Sequence, residues 1–255
     1  MSAVLPPGGD EPTGWMAVVE YDGTLYLGFQ VQREGRTVQG ELERAICQVT
    51  QYPARVVGAG RTDTGVHALG QVVHFNAPWS HTLADLHRAL NAVLVEDVAI
   101  RELREAPPGF HSRFSARSRE YRYTIYNGPV RSPLWRRSAY LYAKPLDDAA
   151  MDQACKCLVG THDFLPFGWP PHGENTVRTV FNARVTRQGE LVLVELTADA
   201  FLRRMVRRIV GNLVLVGCGE LSVDGFAALL SLRHRRTPAA GGAPPQGLCL
   251  VRVNY

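Results

Sequence analysis

The sequence predicts an α+β protein built from two ferredoxin-like (βαββαβ) halves with mainly antiparallel sheets and a central catalytic cleft. Three observations lead there. Strand-like and helix-period runs alternate through the first half as β-α-β-β-α-β, the split βαβ order. The same order returns in the second half with insertions, although no stretch of sequence is itself repeated. The chain has 255 residues, 45% of them apolar. That is enough for two cores, yet no run approaches the roughly 18 apolar residues of a membrane span.

The elements follow in order. Residues 15–21 are a short apolar run with a Gly-containing turn behind it, hence a strand. Val38, Leu42, Ala45, Ile46 and Val49 recur at helical spacing, with Thr37 placed to cap. Residues 55–59 read as a strand, then comes a turn rich in Thr, Asp and Gly, and 71–76 is the next strand. Leu83, Leu86, Leu90 and Val93 mark a second helix, and 98–103 closes the half. In the second half, 119–126 and 138–142 are predicted strands, and a helix carries Met151, Ala154, Cys155 and Leu158. Residues 180–187 and 191–198 form a hairpin around Gln188-Gly189. A long helix is predicted from about Leu202 to Val216, a shorter one over 223–232, and a last strand over 248–255. Two segments, 166–176 and 233–247, are rich in Gly and Pro and are expected as long functional loops. The implied organisation is a flexible tail at 1–13, an α/β domain over 14–108, and a second over 109–255 that completes the cleft.

The first ten residues lack the basic and apolar regions of a secretory signal, which predicts a cytoplasmic protein. The five cysteines are Cys47, Cys155, Cys157, Cys218 and Cys249. Their number is odd and no pair has a zinc-knuckle gap, so reduced, mostly buried thiols and no metal site are expected. The net charge is only +4, but of 28 basic residues just Lys144 and Lys156 are lysine, leaving 26 arginines. Arginine suits bidentate phosphate contacts and stacking. Codon bias gives the same count, so clustering decides. After Phe201, Arg203, Arg204, Arg207 and Arg208 fall at i, i+1, i+4 and i+5 of the predicted helix, opposite Leu202, Met205, Val206, Ile209 and Leu213. That predicts a guanidinium face, with Arg233, His234, Arg235 and Arg236 as a second patch and salt-sensitive phosphate binding.

The densest candidate stretch is Gly58-Ala-Gly-Arg61-Thr62-Asp63-Thr64-Gly65-Val66-His67-Ala68, a loop between two predicted strands. Asp-Thr-Gly by itself is an ordinary turn, because Asp bonds its local backbone and Gly takes positive φ. The triplet also occurs in aspartic proteases, where two carboxylates share one proton. This chain has one such triplet, and Arg61 beside it favours the ionised carboxylate instead. A homodimer would supply a second copy, so the hydrolase alternative stays open here.

Gly60-Arg61-Thr62-Asp63-Thr64-Gly65-Val66-His67-Ala68 resembles the catalytic loop of the TruA-type tRNA pseudouridine synthases. Other motifs resemble that family in order along the chain. They are Tyr21-Asp22-Gly23-Thr24 with Gly28-Phe29-Gln30, Thr37-Val38-Gln39-Gly40, Phe110-His111-Ser112-Arg113-Phe114-Ser115-Ala116 with Tyr121-Arg122-Tyr123, Ala200-Phe201-Leu202 with Met205-Val206-Arg207 and Val210-Gly211, and Gln246-Gly247-Leu248. Thr64, Ser112 and Asp199 depart from the residues usual at those places, and 168–173 is particular to this chain.

The resemblance implies the pseudouridine synthase fold and conversion of uridine to pseudouridine at positions 38, 39 and 40 of the anticodon stem-loop. It implies a homodimer, tRNA as the partner, and no cofactor. It assigns Asp63 as the nucleophile, attacking C1′ or C6 or removing a sugar proton. Arg61 then helps extrude the base. Tyr121 stacks on the uracil near the departing C5 proton. Spacing alone does not separate Tyr121 from Tyr123, which alternate to one face. Leu248 lines the base pocket, Arg207 either pairs with Asp63 or binds phosphate, and Arg203, Arg204 and Arg208 contact RNA. His67 stays outside the catalytic set as a structural residue. A non-catalytic RNA-binding protein of the same fold is the other alternative, against which the intact Arg61-Thr62-Asp63 and Tyr121 speak.

Overall fold

The computed structural model of the protein describes residues 13–170, 173–234, 237–239 and 241–255. The tail expected at 1–13 lies outside them except for Thr13, which already opens the first strand. The chain divides into two compact units. One holds residues to Thr64 and Ala68–Ala116, and the other Gly65–His67 and Arg117–Tyr255.

The first unit runs β1 (Thr13–Tyr21), α1 (Val38–Thr50), β2 (Val57–Gly58), β3 (His67–Ala77), α2 (Leu83–Val93) and β4 (Val98–Glu105). β1 lies between β4 and β3 and is antiparallel to both, with Thr13 opposite Ala77 and Trp15 opposite Glu105. β2 pairs antiparallel with β3. The order β4-β1-β3-β2 is what a split βαβ dictates, because each helical crossover skips one strand. Val19, Phe75, Leu42, Ile46, Leu86 and Leu90 form a nearly fully buried core. Thr37 caps α1 by accepting from Gly40 N–H, and Thr82 with Asp85 forms a capping box on α2.

The second unit holds β5 (Ser118–Tyr126), β6 (Tyr140–Leu141), α3 (Asp148–Lys156), β7 (Gly160–Asp163), β8 (Val177–Gln188), β9 (Leu191–Ala198), α4 (Met205–Gly217), α5 (Val223–Ala228) and β10 (Leu248–Asn254). Its sheet runs β10-β5-β9-β8-β7, antiparallel at each of these pairings, and β6 lies parallel to β5. Counting β5, β8, β9 and β10 as the four framework strands reproduces the order of the first unit. In β9, Val192, Val194, Leu196 and Ala198 are buried in strict alternation. They face the same core as Met151 of α3 and Ile209 and Leu213 of α4.

Several expectations are corrected. The second domain does not begin at residue 109. Ser112 is fully buried in the first unit, where its hydroxyl donates to Val57 O (2.8 Å) and its N–H to His74 Nδ1 (3.2 Å). The strand expected over 138–142 is only Tyr140–Leu141, and the helix over 223–232 is α5 followed by a 3-10 turn at Leu229–Ser231. β7 was not expected. Gly160-Thr-His-Asp163 has no apolar alternation, and it is a strand because it pairs with residues 177–180 of β8. The segment 166–176 is not structureless either. Leu165–Phe167 is a 3-10 turn, and Trp169 forms a two-way backbone bridge with Arg203 (2.8 and 3.4 Å). Pro171 lies outside the described residues. The cysteines are all free, but only Cys155 is buried, and Cys47 is exposed.

Candidate active site

The Asp63 loop is pinned from below by backbone and buried polar contacts. Gln71 is fully buried and donates through Nε2 to Gly60 O (2.8 Å), while Ala59 N–H donates to Val72 O (2.8 Å). Thr62 is 6% exposed, and its Oγ1 lies 2.8 Å from the hydroxyl of buried Tyr21. With Thr62 turned inward, its neighbours are left outside: Arg61 is exposed and Asp63 is half-buried. A charged side chain is thus presented on a backbone that has little freedom to move.

The second support is the segment carrying Gly28-Phe29-Gln30. Phe29 N–H donates to Thr62 O (3.1 Å). The carbonyls of Gly28 and Phe29 accept from Val38 N–H (3.3 Å) and Gln39 N–H (2.9 Å) at the start of α1. Those are donors that a helix leaves without partners of its own. Gln39 is buried, and its side chain accepts from Val31 N–H (2.9 Å) and donates to Val56 O (3.0 Å). Gly28 has φ +98°, and a Cβ there would sit 2.7 Å from Thr62 O and 3.3 Å from Asp63 C. Only glycine allows this close approach. The far end is held by Arg36, which donates to both oxygens of Asp97 (2.7 and 2.9 Å) and lies 4.4 Å over the Tyr26 ring. Tyr26 donates its hydroxyl to Asp97 as well (2.6 Å), and burial pushes that phenol up. Three motifs distant in sequence are therefore one scaffold under residues 60–63.

In the second unit, Tyr121 and Tyr123 of β5 do share a face, and their surroundings tell them apart. Tyr123 is fully buried and spends its hydroxyl on Pro244 O (2.7 Å). Burial holds its phenol well above the usual range. The Gly247 Cα lies so close to this ring that a Cβ would meet it at 2.6 Å. Tyr121 is 9% exposed, opposite Leu250 of β10, with its ring edge-on to Phe201 (5.0 Å between centroids). Leu248 is opposite Tyr123 and 7% exposed. Arg207 is half-buried, donates through Nε to Ala243 O (2.7 Å), and accepts on its own carbonyl from Ala243 N–H (2.8 Å). Tyr121, Leu248 and Arg207 thus lie in the second unit, and Arg61 and Asp63 in the first.

The Tyr123 contact predicts a stability signature. Tyr123→Phe removes a buried donor and strands the Pro244 carbonyl, so it is expected to cost about 1–3 kcal/mol of stability. Denaturant unfolding of Tyr123→Phe against the wild type checks this, a loss in that range being expected.

The guanidinium face does not form. α4 begins at Met205, since Arg204 has φ 65°, a left-handed conformation, and Arg203 is held in its bridge to Trp169. Arg203 and Arg204 are exposed but precede the helix. Arg208 is 5% exposed, with its guanidinium 4.0 Å over the Trp169 ring and Nη1 donating to Pro166 O (3.4 Å). It ties α4 to the 166–169 turn instead of facing solvent. In the late patch, exposed Arg233 lies 4.0 Å from Asp163, and Arg235 and Arg236 are outside the described residues.

Sequence reasoning missed Phe201 and the work of Asp199. The Asp199 carboxylate accepts from Thr179 N–H (3.1 Å) and Ala200 N–H (2.6 Å), shaping the turn that delivers Phe201 to Tyr121. An asparagine oxygen would accept the same bonds.

Residues 17–115 and 154–255 match the family described as tRNA pseudouridine synthase. The chain belongs to this family of isomerases, which turn uridine into pseudouridine within tRNA. Its relatives named tRNA pseudouridine synthase A include that of Roseiflexus castenholzii, 48% identical over 241 residues that cover 93% of this chain and 88% of the relative. Those of Cronobacter sakazakii (42% over 238 residues; 93% and 88%) and Pseudothermotoga lettingae (41% over 243 residues; 94% and 99%) are alike over the same span. No helix among the described residues is long and apolar enough to cross a membrane.

Proposed function

We propose that the protein forms pseudouridine at positions 38, 39 and 40 of the tRNA anticodon stem-loop, with Asp63 as the nucleophile and no cofactor. The observation that supports this most is the presentation of Asp63 on a loop held at Gly60 O, Thr62 O and Thr62 Oγ1. Fixing the nucleophile supplies orientation ahead of the reaction, which is worth several kcal/mol of barrier. The bond from C1′ to N1 breaks, the uracil turns, C1′ bonds to C5, and the C5 proton leaves while N1 gains one. No atoms are added or lost.

Arg61, exposed on the same loop, is assigned to extruding the base from the stem, a cost of a few kcal/mol that the protein must offset. Tyr121 stacks on the uracil, Leu248 lines its seat, and Arg207 supplies positive charge to the nucleophile or to phosphate. Arg203 and Arg204 are assigned to the RNA backbone. Arg208, being stacked inside the protein, is assigned to holding their turn in place. The protein acts in the cytoplasm as a homodimer.

Unmodified tRNA transcripts treated with the protein, then probed by carbodiimide adducts that halt reverse transcription at pseudouridine, test the assignment. Stops confined to positions 38–40 are expected. Stops only elsewhere in the tRNA would contradict it.

A further inference from the structure

Phe114 is 76% exposed, so its aromatic face is open to a partner. It is also held still. His111 Nδ1 accepts from Arg113 N–H (3.2 Å) and Phe114 N–H (3.3 Å). Ser115 returns the contact, its N–H donating to His111 O (2.9 Å) and its hydroxyl accepting from His111 N–H (3.1 Å). The whole turn is anchored by buried Ser112 on Val57 O and His74.

Above that anchor the rings follow one another in tilted contact, at 58° between His74 and His111. His74 lies 4.8 Å from His111, and His111 lies 4.3 Å from Phe114 at an interplanar angle of 32°. The Arg113 guanidinium is 5.6 Å from the Phe114 centroid. Burial first, and then the neighbouring His111, hold the His74 imidazole below its usual range. An exposed, immobilised aromatic with a cation beside it matches the elements of a single-stranded nucleic-acid platform: a flat apolar face for a base and a positive charge for its phosphate.

We propose that Phe114, with His111 behind it and Arg113 beside it, is a stacking seat for an unpaired nucleobase of the tRNA, in addition to the uridine that is isomerised. The inference rests on the protein being a tRNA pseudouridine synthase, and it adds a recognition subsite to that enzyme. A base suits this place better than an apolar protein face, because the arginine stands at the ring itself and complements RNA charge. Since the ring is already pre-organised, little ordering entropy opposes stacking.

The test is binding of unmodified tRNA transcript to the full-length protein across a salt series, for wild type, Phe114→Ala, Phe114→Leu and Phe114→Tyr. Phe114→Ala is expected to raise Kd about tenfold at every salt concentration. The slope of log Kd on log salt should stay as in wild type, because no phosphate contact is removed. Phe114→Tyr should bind within about twofold of wild type, and Phe114→Leu should resemble Phe114→Ala, since leucine has comparable bulk but no π-face. Thermal midpoints should be unchanged for a side chain so exposed. Wild-type affinity in Phe114→Ala, or full affinity in Phe114→Leu, would overturn the seat. So would a shift from dimer to monomer in Phe114→Ala, which would assign the ring to a second copy of the chain. In each of these cases, product formation by the wild type would leave the enzyme reading standing. Absence of product from the wild type would remove that reading itself.

Discussion

Asp63→Asn is expected to bind tRNA like the wild type and to form no measurable pseudouridine. Asparagine keeps the shape of the side chain and removes its charge and its nucleophilic oxygen. The contacts that hold the loop are made by Gly60 O, Thr62 O and Thr62 Oγ1, none of which the substitution touches. The loop should therefore stay in place, and the loss should fall on the chemical step. A covalent nucleophile has no substitute in the site, so a drop of at least about 10⁴-fold is expected, or roughly 5.4 kcal/mol of barrier. Single-turnover product formation at saturating enzyme measures this without interference from binding. Retention of more than about one hundredth of the wild-type rate would mean that another group attacks.

Gly28→Ala should damage the same loop without touching any charged group. The alanine Cβ would lie 2.7 Å from Thr62 O, at a φ of +98° that L-residues avoid. Neither side of the clash is soft. Thr62 is tied to Tyr21 and Phe29, and Gly28 is tied through its carbonyl to α1. Backbone strain and overpacking together predict a loss of about 2–4 kcal/mol, or a fall in thermal midpoint of roughly 5–10 °C. Because the strain is relieved by moving residues 62–63, the folded variant should also lose about 10²-fold in rate, the scale expected for a reacting group misplaced by an ångström. Thermal unfolding and kcat measured on one preparation check both. A destabilised variant with wild-type kcat would show that the loop's position is set elsewhere.

Much of the fold was legible because it is written in local periodicity. The cap at Thr37, the strand β9 and the turn at Gly189 are decided within a few residues of themselves. The parts that were not legible depend on partners far along the chain. β7 has a polar sequence and is made a strand by β8. Arg203 and Arg204 continue the helical period of α4 on paper, on the face opposite its apolar residues. Trp169 takes Arg203 into a bridge, however, and Arg204 turns left-handed, so the helix starts only at Met205. Arg208 was misplaced for the same reason, since its stacking partner Trp169 lies 39 positions away in a segment that reads as loop.

The candidate site divides similarly. Asp63, Arg61 and Tyr121 were singled out through ordered motifs, but the reason those motifs travel together was not legible. Gly28 is a glycine because it lies against the Thr62 carbonyl. Spacing did not distinguish Tyr121 from Tyr123. The Pro244 carbonyl that occupies the Tyr123 hydroxyl does distinguish them. Phe201 reaches Tyr121 only through a turn shaped by Asp199.

The most direct test of the central claim uses tRNA transcript carrying tritium at C5 of uracil, mixed with the wild-type protein and no added cofactor. Forming the bond from C1′ to C5 expels that hydrogen, so tritium should appear in water in step with the uridines converted. Tight tRNA binding with no tritium released would contradict the isomerase and leave a protein that only holds RNA.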